Sequence, residues 1–299
     1  MKLVECVPNF SEGRNRSIVD EIVSAISKVP TVKILDVEMD ENHNRSVVTF
    51  LSDATTAVEA AFNGIKKAGE LIDLNHHRGE HPRFGASDVI PFVPISNVTM
   101  KECVDLALKL GKRVGEELGI PVYMYGEAAL VESRRNLENI RTKSFQFEQL
   151  KDAIGTDQWK PDFGPQRLGG AGASIIGARD FLIAYNVNLN TTDLETGKKI
   201  ARALRAKDGG LTFVKSLAFF LKDKNKVQIS MNLTNFRKTP IYRAYELVKL
   251  EALRYGISVA ESEIVGLTPL DAIVESASFY LQMNSFNPGQ ILETKMWGE

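Results

Sequence analysis

The order of hydrophobic patterns constrains the fold more than any other feature, because it is the same in both halves of the chain. In the first half, short runs rich in apolar and β-branched residues predict strands at 3–7, 32–37, 46–51 and 89–95. Apolar residues at helical spacing lie between the first and second runs, at 18–26, and between the third and fourth runs, at 58–72. Pro91 and Pro94 interrupt the fourth run, which predicts an edge or bulged strand. The order β-α-β-β-α-β is the split βαβ arrangement of ferredoxin-like folds.

The second half repeats this order with unrelated residues. Strand patterns lie at 181–189, 212–221, 227–233 and 257–265, and helical patterns at 193–206, at 240–255 and from Pro269 onwards. Because the layout recurs without a sequence repeat, we expect two related units and no solenoid. A length of 299 residues also suits two domains of ordinary size. We predict an α/β (α+β) protein with two subdomains, residues 1–178 and 179–299, each a mixed β-sheet with helices.

The charge balance and the cysteine content exclude several classes of protein. Lys plus Arg is 37 and Asp plus Glu is 38, so no global field attracts a nucleic acid or a membrane surface. Cys6 and Cys103 lack CxxC or paired Cys/His spacing and are expected to be buried thiols. The first residues do not resemble a signal peptide, and no stretch approaches the roughly 20 apolar residues of a membrane span. We therefore expect a cytoplasmic protein, with no nucleic-acid or membrane partner, that meets anionic ligands with local basic groups.

Titratable side chains concentrate in residues 76–83, which read HHRGEHPR. This stretch holds three of the four histidines of the chain. Imidazole titrates near neutrality, and neighbouring charges shift it further, so the pattern predicts a proton-transfer site. A solvated loop after a helix is the alternative interpretation.

The same letters match H-x-x-E-H, the pattern of inverted zinc peptidases, at residues 77–81. That motif requires a helix, so that both histidines share one face. Gly79 weakens a helix here, and Pro82 disfavours helical geometry at His81. We therefore expect no metal at this loop.

The glycine-rich stretch at 169–172 reads GGAG and lacks the G-x-G-x-x-G spacing of a dinucleotide-binding loop. Glycine allows both tight turns and close approach of the backbone to a ligand. Two interpretations stay open at this point: an interdomain turn and a ligand-binding loop.

Longer motifs in a fixed order resemble the glutamate formiminotransferase family, which is the formiminotransferase domain of the formiminotransferase-cyclodeaminases. The motifs, which span nearly the whole chain, are VECVPNFSEG at 4–13, GEHPR at 79–83, YGEAA at 125–129, SRR at 133–135, PDFGP at 161–165, GAR at 177–179, NVNL at 186–189 and VGLTPL at 265–270. The resemblance implies transfer of the formimino group from N-formimino-L-glutamate to N5 of the co-substrate tetrahydrofolate, in histidine breakdown. It also implies a homodimer. The animal form carries a cyclodeaminase domain as well, so a separate partner enzyme is expected here.

The resemblance also assigns two functional segments. The family's active-site histidine falls in the GEHPR motif, which is His81 here. Its folate-contacting loop follows the DFGP motif and maps to Gly164, Pro165, Gln166, Arg167, Leu168, Gly169, Gly170, Ala171 and Gly172. Formyl transfer between 5-formyltetrahydrofolate and glutamate is the alternative activity, and a folate-binding protein without turnover is a further alternative.

The chemistry of that reaction suggests roles for the acids and bases. His81 can remove the proton from N5 and then deliver a proton to the departing nitrogen. The alternative is direct nucleophilic attack by its ring. Glu80 or Asp88 can orient this ring, whereas His76 and His77 are expected to have supporting or structural roles. Weaker substrate-binding candidates are acids that suit the pterin N–H donors, arginines that suit carboxylates and an aromatic residue at a strand end: Glu38, Asp40, Arg83, Arg134, Arg179 and Tyr125.

Overall fold

The computed structural model describes residues 1–297, and the chain forms two compact units, Met1–Asp180 and Phe181–Glu299. Each unit combines one sheet with helices, which confirms the predicted α/β class. None of the described helices is long and apolar enough to cross a membrane.

The first unit is built on a mixed sheet. Its strands are β1 (Leu3–Cys6), β2 (Asn9–Phe10), β3 (Lys33–Asp40), β4 (Arg45–Asp53), β5 (Ser87–Ser96), β6 (Val122–Gly126) and β7 (Ser174–Ala178). Its helices are α1 (Arg16–Ser27), α2 (Ala57–Leu71), α3 (Met100–Glu117), α4 (Leu137–Ile140) and α5 (Phe147–Ala153). Across the sheet the order is β3, β4, then β1 and β2 end to end, then β5, β7 and β6. The pairs β5–β7 and β6–β7 are parallel, and the other pairings are antiparallel.

Strand β5 lies inside the sheet, so the edge-strand alternative is wrong. It pairs with β1 and β2 on one side and with β7 on the other. Pro91 lies beside the break between β1 and β2, where its carbonyl accepts a hydrogen bond from the Val7 amide at 3.3 Å. Pro94 pairs with Val4 next to a register shift. The bulged alternative is therefore right: Leu3 and Val4 pair with Ser96 and Pro94, so β5 carries an extra residue beside a proline that cannot donate to the ladder.

Strand β7 was not predicted from the sequence. It is fully buried between β5 and β6, so it lacks the alternation of apolar and polar residues that identifies a half-buried strand. It also contains Gly177, a residue that is unfavourable within strands. Glycine is required there because a Cβ would lie 2.3 Å from the carbonyl oxygen of Tyr125.

The two faces of the first sheet are covered differently. Helices α1, α2 and α3 pack their apolar stripes on one face and form the main core. A smaller aromatic cluster covers the β5–β7–β6 end of the other face, where Trp159 stacks on Phe145 with ring centroids 4.1 Å apart. The remaining part of that face carries charged residues, and the site described below lies there.

The second unit is a regular ferredoxin-like sheet in the order β11, β8, β10, β9. Its elements are β8 (Ile183–Leu189), α6 (Leu194–Leu204), β9 (Val214–Leu221), β10 (Lys226–Leu233), α7 (Ile241–Leu253), β11 (Val259–Val265), α8 (Leu270–Tyr280) and α9 (Leu292–Trp297). All its described pairings are antiparallel, which corrects the expectation of a mixed sheet for this unit. The order β-α-β-β-α-β itself is confirmed. As expected for a split βαβ unit, β10 lies between β8 and β9, and β11 lies on the other side of β8.

Candidate active site

The histidine-rich segment, residues 73–86, is a loop between α2 and β5. It contains no helix, so the H-x-x-E-H spacing does not place its two histidines on one helical face. Both ends of the loop are tied to the glycine-rich segment. The Leu74 amide donates to the Gly170 carbonyl at 2.8 Å, and the Ala86 amide donates to the Ala171 carbonyl at 2.9 Å. The predicted folate loop therefore closes the base of the histidine loop.

Two glycines make this crossing possible. A Cβ on Gly172 would lie 2.2 Å from the Phe84 carbonyl oxygen, and one on Gly85 would lie 2.2 Å from that of Ala173. Gly172 also has a φ of 69°, in the left-handed region that favours glycine. Since these contacts lie within the first unit, the interpretation of residues 169–172 as an interdomain turn is wrong.

The earlier part of the predicted folate loop lines a separate surface cavity of about 730 Å³. Its walls are Pro165, Arg167, Leu168 and Gly169, together with Gly115 and Gly119 near the end of α3. Small-molecule sites commonly have volumes of about 300–1,000 Å³. The cavity therefore has the size to receive part of a ligand, and one positive charge, on Arg167, lies in its wall.

The turn between β3 and β4 docks on the histidine loop through Asn44. The Asn44 side chain accepts a hydrogen bond from the Gly13 amide at 3.0 Å and donates one to the Arg78 carbonyl at 3.0 Å. Its φ of 48° is a left-handed conformation that asparagine tolerates better than most residues. Gly79 packs so closely that a Cβ would lie 2.2 Å from the His43 carbonyl oxygen. This docking places His43 beside the histidine loop.

His77 is held as a neutral structural group. Its Nε2 lies 2.9 Å from the Asn44 carbonyl oxygen, and its Nδ1 lies 3.1 Å from Nε of Arg83. A carbonyl only accepts and a guanidinium only donates, so the proton is on Nε2. Burial lowers the pKa of His77, in keeping with this neutral form. Both ring nitrogens have protein partners, which supports the structural role expected for this residue.

The guanidinium of Arg83 ties the loop to helix α5. Its side chain is 6% exposed, and Nη1 and Nη2 donate to the two carboxylate oxygens of Glu148 at 2.8 and 2.7 Å. Nη1 also donates to Gln146 at 2.8 Å. Arg83 was predicted to bind a carboxylate of the substrate bidentately. It does make a bidentate contact, but to the carboxylate of Glu148 in the protein itself. Arg134 is likewise occupied, by an ion pair with Asp162 at 3.0 Å.

His81 lines a narrow cleft. Burial lowers the pKa of His81 to about 2, and the positive charges of Arg45 and Arg141 contribute to this shift. The ring is therefore neutral at any physiological pH. The cleft is further lined by Phe10, Ser11, His43, Asn44, Arg45, His77, Arg83 and Asp88.

Neither acid expected to orient His81 hydrogen-bonds its ring among the described residues. Glu80 is exposed at the tip of the loop. Asp88 is 2% exposed and accepts a hydrogen bond from the Phe84 amide at 2.7 Å, while its other oxygen lies 3.2 Å from Nη2 of Arg141. Asp88 therefore fixes the base of the loop and one of the two arginines that lower the pKa of His81.

Arg45 and Arg141 form a charged wall with unused hydrogen-bonding capacity. Arg141 is 8% exposed and donates to the Pro82 carbonyl. Among residues 1–297, Nε of each arginine and Oδ2 of Asp88 are buried without a hydrogen-bond partner. Buried polar atoms are normally paired, and charged ones are the most costly to leave unpaired. This wall is consequently suited to an anionic ligand.

The predicted acids Glu38 and Asp40 lie on β3 at the edge of this wall. Asp40 is the cross-strand partner of Arg45. Burial and the nearby Asp36 raise the pKa of Glu38, against the opposing effect of Arg45. Oδ2 of Asp40 lies 2.7 Å from Nδ1 of His43. Asp40 is thus connected to the cleft through its hydrogen bond to His43, and Glu38 lies near Arg45, but neither acid lines the cleft.

Tyr125 and Arg179 form a second polar cluster on the same sheet. Tyr125 is 5% exposed, and the Arg179 side chain hydrogen-bonds to it. Glu5, which is 4% exposed, joins them; burial raises the pKa of this carboxyl to about 7, and Arg179 offsets part of the rise. The charge of Arg141 acts on both Tyr125 and His81, so the two clusters are neighbours.

Three residues of the site were missed by the sequence analysis: His43 and Arg45, which line the cleft, and Arg141, whose charge acts on His81. The Asp40-x-x-His43 spacing was a readable signal, because an acid and a histidine three residues apart in a tight turn can pair. Arg45 offered only a charge at the start of a strand. Arg141 reaches Pro82 from 59 residues further along the chain, and nothing local in its sequence indicates that contact.

The site therefore combines the neutral imidazole of His81, the charges of Arg45 and Arg141, and the hydrogen-bonded pair of His43 and Asp40. This set suits proton transfer at a bound anionic substrate. Among residues 1–297, no group of three His, Cys, Asp or Glu side chains has the geometry to hold a metal ion.

Two family models match the chain. The model described as "Formiminotransferase domain, N-terminal subdomain" matches residues 3–179, and the model described as "Formiminotransferase domain" matches residues 184–293. The chain is 70% identical to a glutamate formimidoyltransferase of Thermoplasma acidophilum, over 99% of this chain and 98% of that protein. It is 42% identical to a glutamate formimidoyltransferase of Streptococcus pyogenes serotype M1, over 99% of each. The chain is also 44% identical to a formimidoyltransferase-cyclodeaminase of Gallus gallus. That match covers 94% of this chain and 53% of that protein.

Proposed function

The chain belongs to the formiminotransferase family, and from that premise we propose that it transfers the formimino group of N-formimino-L-glutamate to N5 of tetrahydrofolate and releases glutamate. The observation that carries this proposal is the neutral His81 in a cleft lined by Arg45, with the buried charge of Arg141 close enough to lower the pKa of the ring as well. Both substrates are small anions, and the reaction serves the breakdown of histidine.

The transfer needs a proton acceptor at N5 of the folate and a proton donor at the departing nitrogen. His81 acts as the acceptor, because its ring is already neutral and largely shielded from water. Such a general base contributes about 10²- to 10⁴-fold, and alignment of the two substrates supplies most of the remaining acceleration. Direct attack by the ring, which would give a formimino-histidine, is the alternative role and would leave a covalent adduct in an acid quench.

Substrate binding makes His81 a stronger base. In the free protein its pKa is low because burial and the two arginines disfavour the imidazolium. Formiminoglutamate and the folate tail carry carboxylates, and binding them at Arg45 and Arg141 offsets those positive charges. The acid limb of the pH profile should therefore lie at higher pH for kcat than for kcat/KM, since kcat reports the substrate complex.

The weaker candidates are assigned by their surroundings. We propose that the loop from Gly164 to Gly172 and its cavity receive part of the folate, with Glu38 facing the pterin N–H donors. Tyr125 and Arg179 receive a substrate carboxylate beside Glu5. Arg83 serves the reaction by holding the histidine loop on Glu148.

Three further features belong to this proposal. The N-terminal subdomain, residues 1–178, holds the histidine site, and residues 179–299 form the C-terminal subdomain. The protein works in the cytoplasm, where its two cysteines, buried and free, remain reduced. It is a homodimer, which light scattering on the purified protein measures directly.

The test replaces His81 with Ala and follows glutamate release from formiminoglutamate and tetrahydrofolate. Turnover should fall by about 10²-fold or more, while tetrahydrofolate binding stays within about threefold. His76→Ala, in the same loop but exposed and outside the cleft, is the matched control and should keep full activity. Turnover of the His81 variant near that of the control would contradict the assignment.

The donor is tested in the same assay. Wild-type protein is offered 5-formyltetrahydrofolate and glutamate in place of the formimino pair. Faster formyl transfer than formimino transfer would show that the physiological donor is misassigned while the site is right. Tetrahydrofolate binding without turnover of either donor would instead indicate a folate-binding protein.

A further inference from the structure

A second histidine lies at the His81 cleft, contributed by the turn between β3 and β4. The ring centroids of His43 and His81 are 6.2 Å apart, with an angle of 74° between the ring planes. Both rings line the same cleft. A substrate carbon bound beside the two rings can therefore have one imidazole near its incoming nitrogen and the other near its departing nitrogen.

Asp40 holds His43 at two points. The His43 amide donates to Oδ1 of Asp40 at 2.8 Å, and Nδ1 of the ring lies 2.7 Å from Oδ2. An ionised carboxylate only accepts, so Nδ1 carries a proton and Nε2 is the nitrogen left for other partners. Partial burial opposes ionisation of Asp40, but the hydrogen bonds from His43 outweigh it and lower the pKa of this carboxyl.

The two rings have different neighbours. The positive charges of Arg45 and Arg141 act on His81. His43 instead hydrogen-bonds through Nδ1 to the carboxylate of Asp40, which leaves Nε2 for a substrate. Two imidazoles held by different partners in one site can divide the roles of base and acid.

We propose that His43, positioned by Asp40, is the general acid that protonates the departing glutamate nitrogen. This assignment rests on the proposed formimino transfer. The lone pair of N5 forms the new C–N bond, and the bond from the formimino carbon to the glutamate nitrogen breaks. His81 takes the N5 proton, and the glutamate nitrogen takes a proton from Nε2 of the imidazolium form of His43, which carries a proton on each ring nitrogen. The carbon keeps its oxidation state, and the proton on His81 returns to His43 through solvent, since the His43 side chain is 47% exposed.

The central experiment compares His43→Gln with wild type in the formimino-transfer assay. We expect kcat to fall by about 10²-fold, with KM values within about threefold, because the variant removes an acid and leaves the arginines in place. The basic limb of the kcat profile, which reports the protonated acid, should disappear. The titratable and charged groups that surround His43 are Asp40, Arg45, His77, His81, Arg83 and Asp88.

Two more variants distinguish a catalytic role of His43 from a purely structural role in the turn. In Asp40→Asn the amide oxygen can still accept from the His43 backbone, so the turn is kept while the charge is lost; kcat should fall by about 10-fold. In His43→Ala, added imidazole should restore part of kcat, because it supplies an acid in solution. Neither effect is expected of a residue that only shapes the turn.

The matched control is His76→Gln. His76 and Asp73 form another pair three residues apart in the sequence, with 3.7 Å between the nearest ring nitrogen and carboxylate oxygen, but they do not line the cleft. This variant should keep the wild-type kcat and pH profile. A kcat for His43→Gln within threefold of wild type, or an unchanged basic limb, would overturn the role of His43. Absence of formimino transfer in the wild-type protein would instead overturn the proposed function.

Discussion

The two units share one order of elements but differ in the sheet face opposite their helical cores. In the first unit, this face carries buried charged atoms that lack hydrogen-bond partners among the described residues, on Arg45, Asp88 and Arg141. In the second unit, charges and amides on the sheet satisfy each other, as where one oxygen of Glu263 accepts from both Asn186 and Gln228 at 3.1 Å. On these two sheet faces, the site is marked by buried charged groups with unused hydrogen-bonding atoms and not by topology.

The two sheet faces differ more in their buried charged groups than in their buried neutral polar groups. The second face also has a buried acceptor without a described partner, Oδ1 of Asn188, but this group is neutral, and its amide nitrogen donates to Glu261 at 2.9 Å. A neutral acceptor costs far less to bury than a carboxylate or a guanidinium. Substitutions that remove charge should therefore have large effects in the first unit and small ones in the second.

The largest effect is expected for Arg141→Met. The variant leaves Asp88 buried, 2% exposed, without its cation, and it also removes the donor to the Pro82 carbonyl. Breaking a buried ion pair from one side costs about 3–5 kcal/mol. Urea unfolding followed by Trp159 fluorescence in a Trp297→Phe background reports the first unit alone.

The double variant Arg141→Met/Asp88→Asn is the control for that experiment. Asparagine keeps an acceptor for the Phe84 amide but carries no charge, so part of the lost stability should return. A loss below about 1 kcal/mol in the single variant would mean that Asp88 is not held by Arg141 and that the charged wall is not an energetic unit.

Elements set by local patterns were the predictable part of this molecule. The strand and helix order of both units follows from periodicity within short windows, and His81 follows from a motif of five residues. Strand β7 escaped because burial on both faces removes periodicity. Arg141 escaped because it contacts Pro82, 59 positions earlier in the chain, only after β5, α3 and β6 have folded between them.

The second prediction uses Glu5, another buried titratable residue of the first unit. Burial raises its pKa from 4.5 to about 7, so the folded state holds the proton more tightly than the unfolded state. Stability is then full below pH about 4.5, falls as the pH rises to about 7 and is constant above. The Glu5→Gln variant lacks this loss and should gain about 3 kcal/mol relative to wild type between pH 4.5 and 8.

Urea unfolding of both proteins at the two pH values measures that gain, and taking the difference removes the contributions of all other titrating groups. A difference in unfolding free energy that does not change with pH would show that Glu5 is ionised in the folded protein. The first unit would then tolerate an unpaired carboxylate, and the contrast with the second unit would weaken.

Arg83→Lys should have an intermediate effect. A lysine cannot reproduce the fork that binds both oxygens of Glu148, and it loses the contact to His77 as well. Because Glu148 is 45% exposed, we expect a loss of only about 1–2 kcal/mol. Hydrogen exchange should rise in residues 76–84 and not in the second unit. Unchanged exchange in the loop would mean that its ties at residues 170 and 171 are sufficient.

The smallest effect is expected for Glu263→Gln in the second unit. The side-chain oxygen remains an acceptor for Asn186 and Gln228, the position is exposed, and water replaces whatever the lost charge contributed. Unfolding free energy should change by about 0.5 kcal/mol or less, and hydrogen exchange of β8 and β11 should stay as in wild type. A loss above about 2 kcal/mol would show that this face depends on charge as the first one does. A fall in formimino transfer at unchanged stability would instead make Glu263 part of the functional surface. The second unit would then also contribute residues to the reaction.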